Sequence, residues 1–181
     1  PSALADFRDE PPARPIASSR AKRVAHYSYR PIANRSIVAE EFRILRTRLQ
    51  YTERWRNSLL ITSCHHDEGK TSTSLNLAHF MAKRKGMKIL LLDMDIRRPR
   101  LRKLLGLESQ PDLIDVLRGE AAPEDALWYS EEENLYAMVP QRGYGNATEL
   151  LESPRAADLL NRLHASFDFI VADSCPCLST A

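Results

Sequence analysis

Three short stretches of the chain carry residue types that together can hold a metal-bound triphosphate. The first is SCHHDEGKTSTS, residues 63–74, where Glu68 and Gly69 precede Lys70, Thr71 and Ser72. In a loop of this kind backbone N–H groups converge on phosphate oxygens, the lysine neutralises β/γ charge, and the threonine hydroxyl ligates Mg²⁺. The second is ILLLDMDIRRP, residues 89–99, in which Asp93 and Asp95 leave an apolar run two residues apart. Phosphoryl transfer needs one carboxylate to hold the metal's water shell and another to take a hydroxyl proton or position the nucleophile. The alternation Asp-Met-Asp sends both carboxylates to one side if extended geometry persists. The third is FDFIVADS, residues 167–174, an apolar run ending in Asp173, the form in which an acid binds Mg²⁺ through water. Three such stretches in this order predict one Mg²⁺–nucleotide site.

The site requires strands that deliver the acids to a common edge and a helix that starts beside them. SLLITS, KILLLD and FIVAD are short apolar runs of the kind found in buried parallel strands, and LYAMVP (135–140) is a fourth. Between them lie helical patterns: TSTSLNLAHFMAKRK before Gly86, DLIDVLRG ending at Gly119, and SPRAADLLNRLHASF. Strands alternating with helices predict an α/β fold, an open, mainly parallel twisted sheet with helices on both faces, and ligands at the carboxyl ends of its strands. Ahead of these, SIVAEEFRILRTRLQ reads as a helix capped by Ser36, with Val38, Phe42, Leu45 and Leu49 as its apolar face. Residues 1–35, with EPPARPIASSRAKR, show no apolar period and read as a flexible basic tail or linker, leaving 36–181 as the nucleotide-binding domain. The chain stops eight residues after Asp173, directly behind a strand, so the domain is expected to be truncated at its C-terminal side, lacking its last strands and helices.

Bulk composition narrows the class. Of 181 residues 43% are hydrophobic and 28% charged, as in soluble globular proteins. A net charge of +2, from 26 basic against 24 acidic residues, speaks against a nucleic-acid partner. Three cysteines make an odd count, which argues for a reducing compartment rather than a disulfide framework. No apolar run approaches the roughly 20 residues of a membrane span.

The motif series, taken with EEFRILRTRLQ, ILLLDMDIRRPRLRKLLGL, NATELLESPRAADLLNRL and FDFIVADSCPCL, resembles the bacterial tyrosine kinases of capsule and exopolysaccharide assembly over roughly residues 36–181. The resemblance implies a P-loop fold and an ATP- and Mg²⁺-dependent autokinase. It further implies a cytoplasmic location at the inner face of the plasma membrane, through a membrane-embedded polysaccharide co-polymerase or an anchor, and self-association into a ring. By that resemblance Lys70 and Thr71 grip phosphate and metal, Asp93 activates the attacking tyrosine, Asp95 supports the metal, and Asp173 is the Walker B acid. Glu40, Arg43 and Arg46 match the Glu-x-x-Arg-x-x-Arg motif of subunit packing, expected on a flank away from Phe42 and Leu45.

The chain departs from the family in its loop, where His66 and Asp67 stand in place of Pro-Gly. Loss of glycine removes freedom to reach φ > 0, although Asp tolerates that region better than most residues. A carboxylate near the γ-phosphate repels it unless Mg²⁺ or an arginine compensates, which predicts ATP binding weakened but not abolished. Cys64, Cys175 and Cys177 are expected as neighbours beside His65 and His66, a set that suggests either a thiol switch or a soft-metal site, or merely small residues at strand ends. Tyr27 and Tyr29, on the presumed tail, are candidate phosphate acceptors. Two other readings compete. One is an ATPase switch of the partition or division-site type, whose extra loop lysine is missing from positions 63–67. The other is a degenerate ATP-sensing regulator.

Overall fold

The computed structural model describes residues 14–51, 57–108 and 111–178. Its centre is one sheet of six strands: β1 (Lys22–Val24), β2 (Ser58–Ile61), β3 (Ile89–Asp93), β4 (Trp128–Ser130), β5 (Leu135–Met138) and β6 (Phe169–Asp173). The spatial order is β1-β4-β5-β3-β6-β2. Every neighbouring pair is parallel except β4 with β5, which form an antiparallel hairpin. The expected open, mainly parallel α/β sheet is therefore present, and the predicted strands lie where the apolar runs put them.

Successive side chains of a strand face opposite ways, and the central strands use this to supply two cores. Leu90, Leu92, Ile170 and Ala172 face one core, which holds residues of α4 (Leu113–Arg118) and α6 (Pro154–Ser166). Ile89, Leu91, Phe169 and Val171 face the other, which holds residues of α2 (Lys70–Ala82) and α3 (Leu101–Leu105). Both β3 and β6 are buried along their whole length, so apolarity without alternation was the correct signal for them. Local chemistry fixes the helix ends. Ser36 and Ser153 accept from the amides of Ala39 and Ala156, Asp112 and Asp115 form a capping box, and Gly119 ends α4 at φ +78°. A short α5 (Ala147–Leu151) completes the set.

Two expectations are corrected. The segment read as a flexible tail over 1–35 is structured from residue 16 onward, while residues 1–13 lie outside the described part. Ile16 and Ala21 are buried, Lys22 N–H donates to Leu127 O, and β1 pairs with β4. Ile16 N–H donates to Ser166 Oγ, and Arg162 bonds both Arg14 O and Glu124. A three-residue edge strand held by side chains distant in sequence leaves no period to read.

The second correction concerns α1 (Ile37–Gln50). Its packed face is Ala39, Phe42, Arg43, Arg46 and Leu49, whereas Val38 and Leu45 point to solvent with Ile37, Ile44 and Tyr51. Phe42 stacks on Phe80 of α2 at 5.6 Å, and Arg43 lies over the same ring. The arginine stems pack while their heads find partners, a use that a hydrophobic count misses. Trp128 is buried in the core under the Lys22 ammonium, and Trp55 lies outside the described residues.

Candidate nucleotide site

β2 ends at Ile61, and after a loop α2 begins at Lys70 with Gly69 as its N-cap at φ +87°. A Cβ at Gly69 would meet nothing within 4 Å, so glycine is there for its backbone conformation. The first amides of this 13-residue helix have no helical partner and lie at the positive end of its dipole, as an anion site requires.

Beside them the strands deliver their acids. Asp93 and Asp173 are register partners across β3 and β6. Asp93 is fully buried. Its Oδ1 accepts from the Asp95 amide at 3.0 Å and its Oδ2 from the Leu101 amide at 3.3 Å. Burial first, and the charge of Asp173 second, push its carboxyl up to about 8. Burial also raises Asp173, opposed by the hydroxyls of Thr71 and Ser74, the latter 3.1 Å from its Oδ1. Asp95 accepts from the Arg98 amide, and its other oxygen lies 3.8 Å from Lys70 Nζ in a pair that is almost entirely enclosed. Lys70, Thr71, Asp93, Asp95 and Asp173 are thus drawn together at one sheet edge, as the spacing predicted.

Two carboxyls raised chiefly by burial, Asp93 and Asp173, with the Asp95 carboxylate beside them, offer hard oxygen donors whose crowding a divalent cation would relieve. The open helix start supplies the complementary anion site. Beside it lies a cleft of about 630 Å³, with Asp67, Gly69, Lys70, Thr71 and Ser72 on one wall and the start of α3 on the other. On these grounds the residues fit a Mg²⁺–nucleotide.

The structure modifies several expectations about this site. Glu68 faces its own loop: its carboxylate accepts from the amides of Cys64 and His65, which hold it below its usual range. It braces the loop instead of lining the cleft. Asp67 does adopt positive φ, at +62°, and its carboxylate pairs with Arg100. Cys64 and Cys177 do come close through the backbone, with Cys177 N–H donating to Ser63 O and Leu178 N–H to Cys64 O. All three thiols are nonetheless free and exposed, and among the described residues no group of three or more His, Cys, Asp or Glu side chains forms a metal cage by itself. A cation beside Asp95 and Asp173 would therefore need the Thr71 hydroxyl, water and phosphate oxygens to complete its shell. Glu40 pairs with Arg43, which also donates to Asn34 O, while Arg46 donates to Phe80 O at 3.1 Å. Arg43 and Arg46 thus pack against α2 on the same side as Phe42, not on the flank expected away from it, while Glu40 stays exposed and is joined to them through Arg43.

Tyr27 and Tyr29 are held by the fold instead of lying on a free tail. Tyr27 is 4% exposed with its hydroxyl donating to Leu135 O, and Tyr29 Oη accepts from Asn76 Nδ2. Asn76 was missed in the sequence. It also accepts from Ile32 N–H and donates to Ser72 O, tying the N-terminal segment to the first turns of α2. Ser74, which bonds Asp173, was also missed, although its place one turn after Lys70 was the available signal.

Comparison with known proteins agrees with this geometry. The profile of a family described as AAA domain matches residues 65–181. The tyrosine-protein kinase YwqD of Bacillus subtilis is 32% identical over 149 residues, covering 81% of this chain and 62% of its own. The chain thus spans about three-fifths of that relative's length. The kinase domain of VpsO superposes with a TM-score of 0.71 at 30% identity, over 81% of this chain and 76% of that one. The septum site-determining protein MinD of Pyrococcus horikoshii, solved with Mg-ADP, matches less fully, with a TM-score of 0.56 at 27% identity over 66% of this chain and 49% of its own.

Proposed function

Because the chain belongs to the AAA-domain P-loop family, in the branch of the bacterial tyrosine kinases, we propose that it is an ATP-dependent protein-tyrosine autokinase. The observation that carries this reading is the enclosed Lys70–Asp95 pair set against Asp93 and Asp173 at the start of α2. ATP bound with Mg²⁺ supplies the phosphoryl group and the counter-charge for the carboxylates.

The chain's own residues have distinct tasks. The amides at the head of α2 and the Lys70 ammonium bind and orient phosphate oxygens. Asp95 holds Lys70 within the cleft, and Thr71 and Asp173, with Asp95, would hold the metal. Asp93 accepts the proton of the tyrosine hydroxyl. A carboxyl pushed up to about 8 is a stronger base than an ordinary carboxylate, but it must first give up its own proton, which a divalent cation arriving beside it would favour. Asp93 is fully buried, with the Asp95 and Leu101 amides on its two oxygens, so contact with a hydroxyl requires the segment after β3 to shift.

The wider reading follows the resemblance. The kinase controls exopolysaccharide or capsule polymerisation and export at the inner face of the plasma membrane, assembling in a ring beside a membrane-embedded co-polymerase. Among the described residues no helix is long and apolar enough to cross a membrane, so contact with the bilayer falls to other segments or to the partner. The ATPase-switch alternative is less favoured, since the likeness to MinD covers a smaller part of the chain and the loop lacks the extra lysine.

Incubation with γ-labelled ATP and Mg²⁺ tests the proposal. Label on tyrosine is expected, and Asp93→Asn should lower transfer by about 10²–10⁴-fold while nucleotide still binds. Free phosphate release with no labelled tyrosine would support the switch, and binding without turnover would support a degenerate sensor.

A further inference from the structure

The loop contains an aspartate where backbone geometry favours glycine. Asp67 sits at φ +62°, a region that an L-residue enters against steric resistance. Its carboxylate Oδ1 lies 2.5 Å from Nη1 of Arg100, at the start of α3 and on the opposite wall of the cleft. The pair therefore bridges the mouth above Lys70. Its side chains are 52% and 70% exposed, for Arg100 and Asp67 respectively, so water compensates both groups and the link is weak. Lys103, one turn further along α3, lines the same wall.

A triphosphate entering this cleft acts on the two partners with opposite sign. It repels the Asp67 carboxylate and attracts the Arg100 guanidinium, whose planar fork suits two phosphate oxygens at once. We propose that Arg100 is a phosphate-sensing residue of the nucleotide site. It is held on Asp67 in the absence of a terminal phosphate and transferred to that phosphate when ATP binds. Asp67 is the positioning residue: it keeps the guanidinium at the cleft mouth and releases it to the more concentrated charge. The exchange makes the site discriminate ATP from ADP, because a diphosphate lacks the group that draws Arg100 away. This inference rests on the nucleotide-binding reading above and adds a specificity residue to it. The sequence allows a compensating arginine but does not say which, since Arg100 lies 33 positions from Asp67.

Titration calorimetry of the intact chain with ATP and with ADP, each with Mg²⁺, tests the proposal using Arg100→Ala, Asp67→Asn and the double variant. Both side chains are exposed, so the fold is not at stake. Arg100→Ala is expected to weaken ATP by about tenfold and ADP by less than twofold. Asp67→Asn is expected to tighten ATP several-fold and leave ADP unchanged, and most of that gain should disappear in the double variant. Equal effects of Arg100→Ala on both nucleotides, or no effect on either, overturn the inference while leaving the nucleotide site intact. If the unsubstituted chain binds neither nucleotide, the nucleotide-binding reading falls, and this inference falls with it.

Discussion

A few side chains held in unfavourable electrostatic states define this site. The Asp93 carboxyl is pushed up to about 8 because it is dry and faces Asp173, and Lys70 sits almost enclosed against Asp95. His79, in the middle of α2, shows a related tension away from the site. It is nearly buried, edge-on to Phe80, and its Nδ1 has no hydrogen-bond partner among the described residues. Burial first, and the Lys83 charge second, lower its imidazolium to about 4 from an ordinary 6.5. The unfolded chain thus binds more protons between those values, so the histidine's contribution is complete above about 6.5 and is lost as pH falls toward 4. Denaturant midpoints measured from pH 7 to pH 4 should therefore fall more steeply for the natural chain than for His79→Phe. The difference between the two should reach up to about 3 kcal/mol, and parallel profiles would contradict it. The residues of the site were legible because their types are rare at strand ends. The pairings Asp67–Arg100, Ser74–Asp173 and Asn76–Tyr29 were not, since each depends on a fold that the spacing alone does not give.

At the scale of elements, α1 shows where period and packing disagree. Four apolar residues at helical spacing, Val38, Phe42, Leu45 and Leu49, predicted its buried face, yet the helix is rotated so that Arg43 and Arg46 pack beside Phe42 and Leu49. The reason lies in the partner. α2 offers the Phe80 ring for stacking and the Phe80 carbonyl for a charged donor, and both reward a guanidinium more than a leucine. Arg46→Ala removes that donor and should destabilise the fold by about 1.5–3 kcal/mol, whereas Leu45→Ala on the exposed side should cost under about 0.5 kcal/mol. Chemical denaturation of the two variants measures the difference, and the reverse order would show that the helix presents its other face. The remaining exposed residues, with Ile37 at 85% and Tyr51 at 83%, leave an apolar stripe directed away from α2. The strands β3 and β6, by contrast, were readable almost to the residue, because burial on both faces imposes continuous apolarity.

The whole molecule is an open sheet whose parallel strands carry their functional groups to one edge, with two cores holding β3 and β6 in register so that Asp93 meets Asp173. The fold class, the strand-helix alternation and the site's position followed from motif order and strand ends. Two strands did not, β1 and β4: each is three residues long, and the segment leading into β1 is tied through Ile16 to Ser166 and Ala17 to Glu124, across more than a hundred residues of sequence. The central claim is that this edge binds one metal-bound triphosphate through Lys70 and the carboxylates. Equilibrium titration of the natural chain and of Lys70→Ala with ATP, in Mg²⁺ and then in chelator, tests it most directly. Saturable binding of the natural chain is expected, weakening sharply on chelation and lost in Lys70→Ala. Binding that is equally strong without Mg²⁺ and without the lysine, or no binding at all, would contradict it.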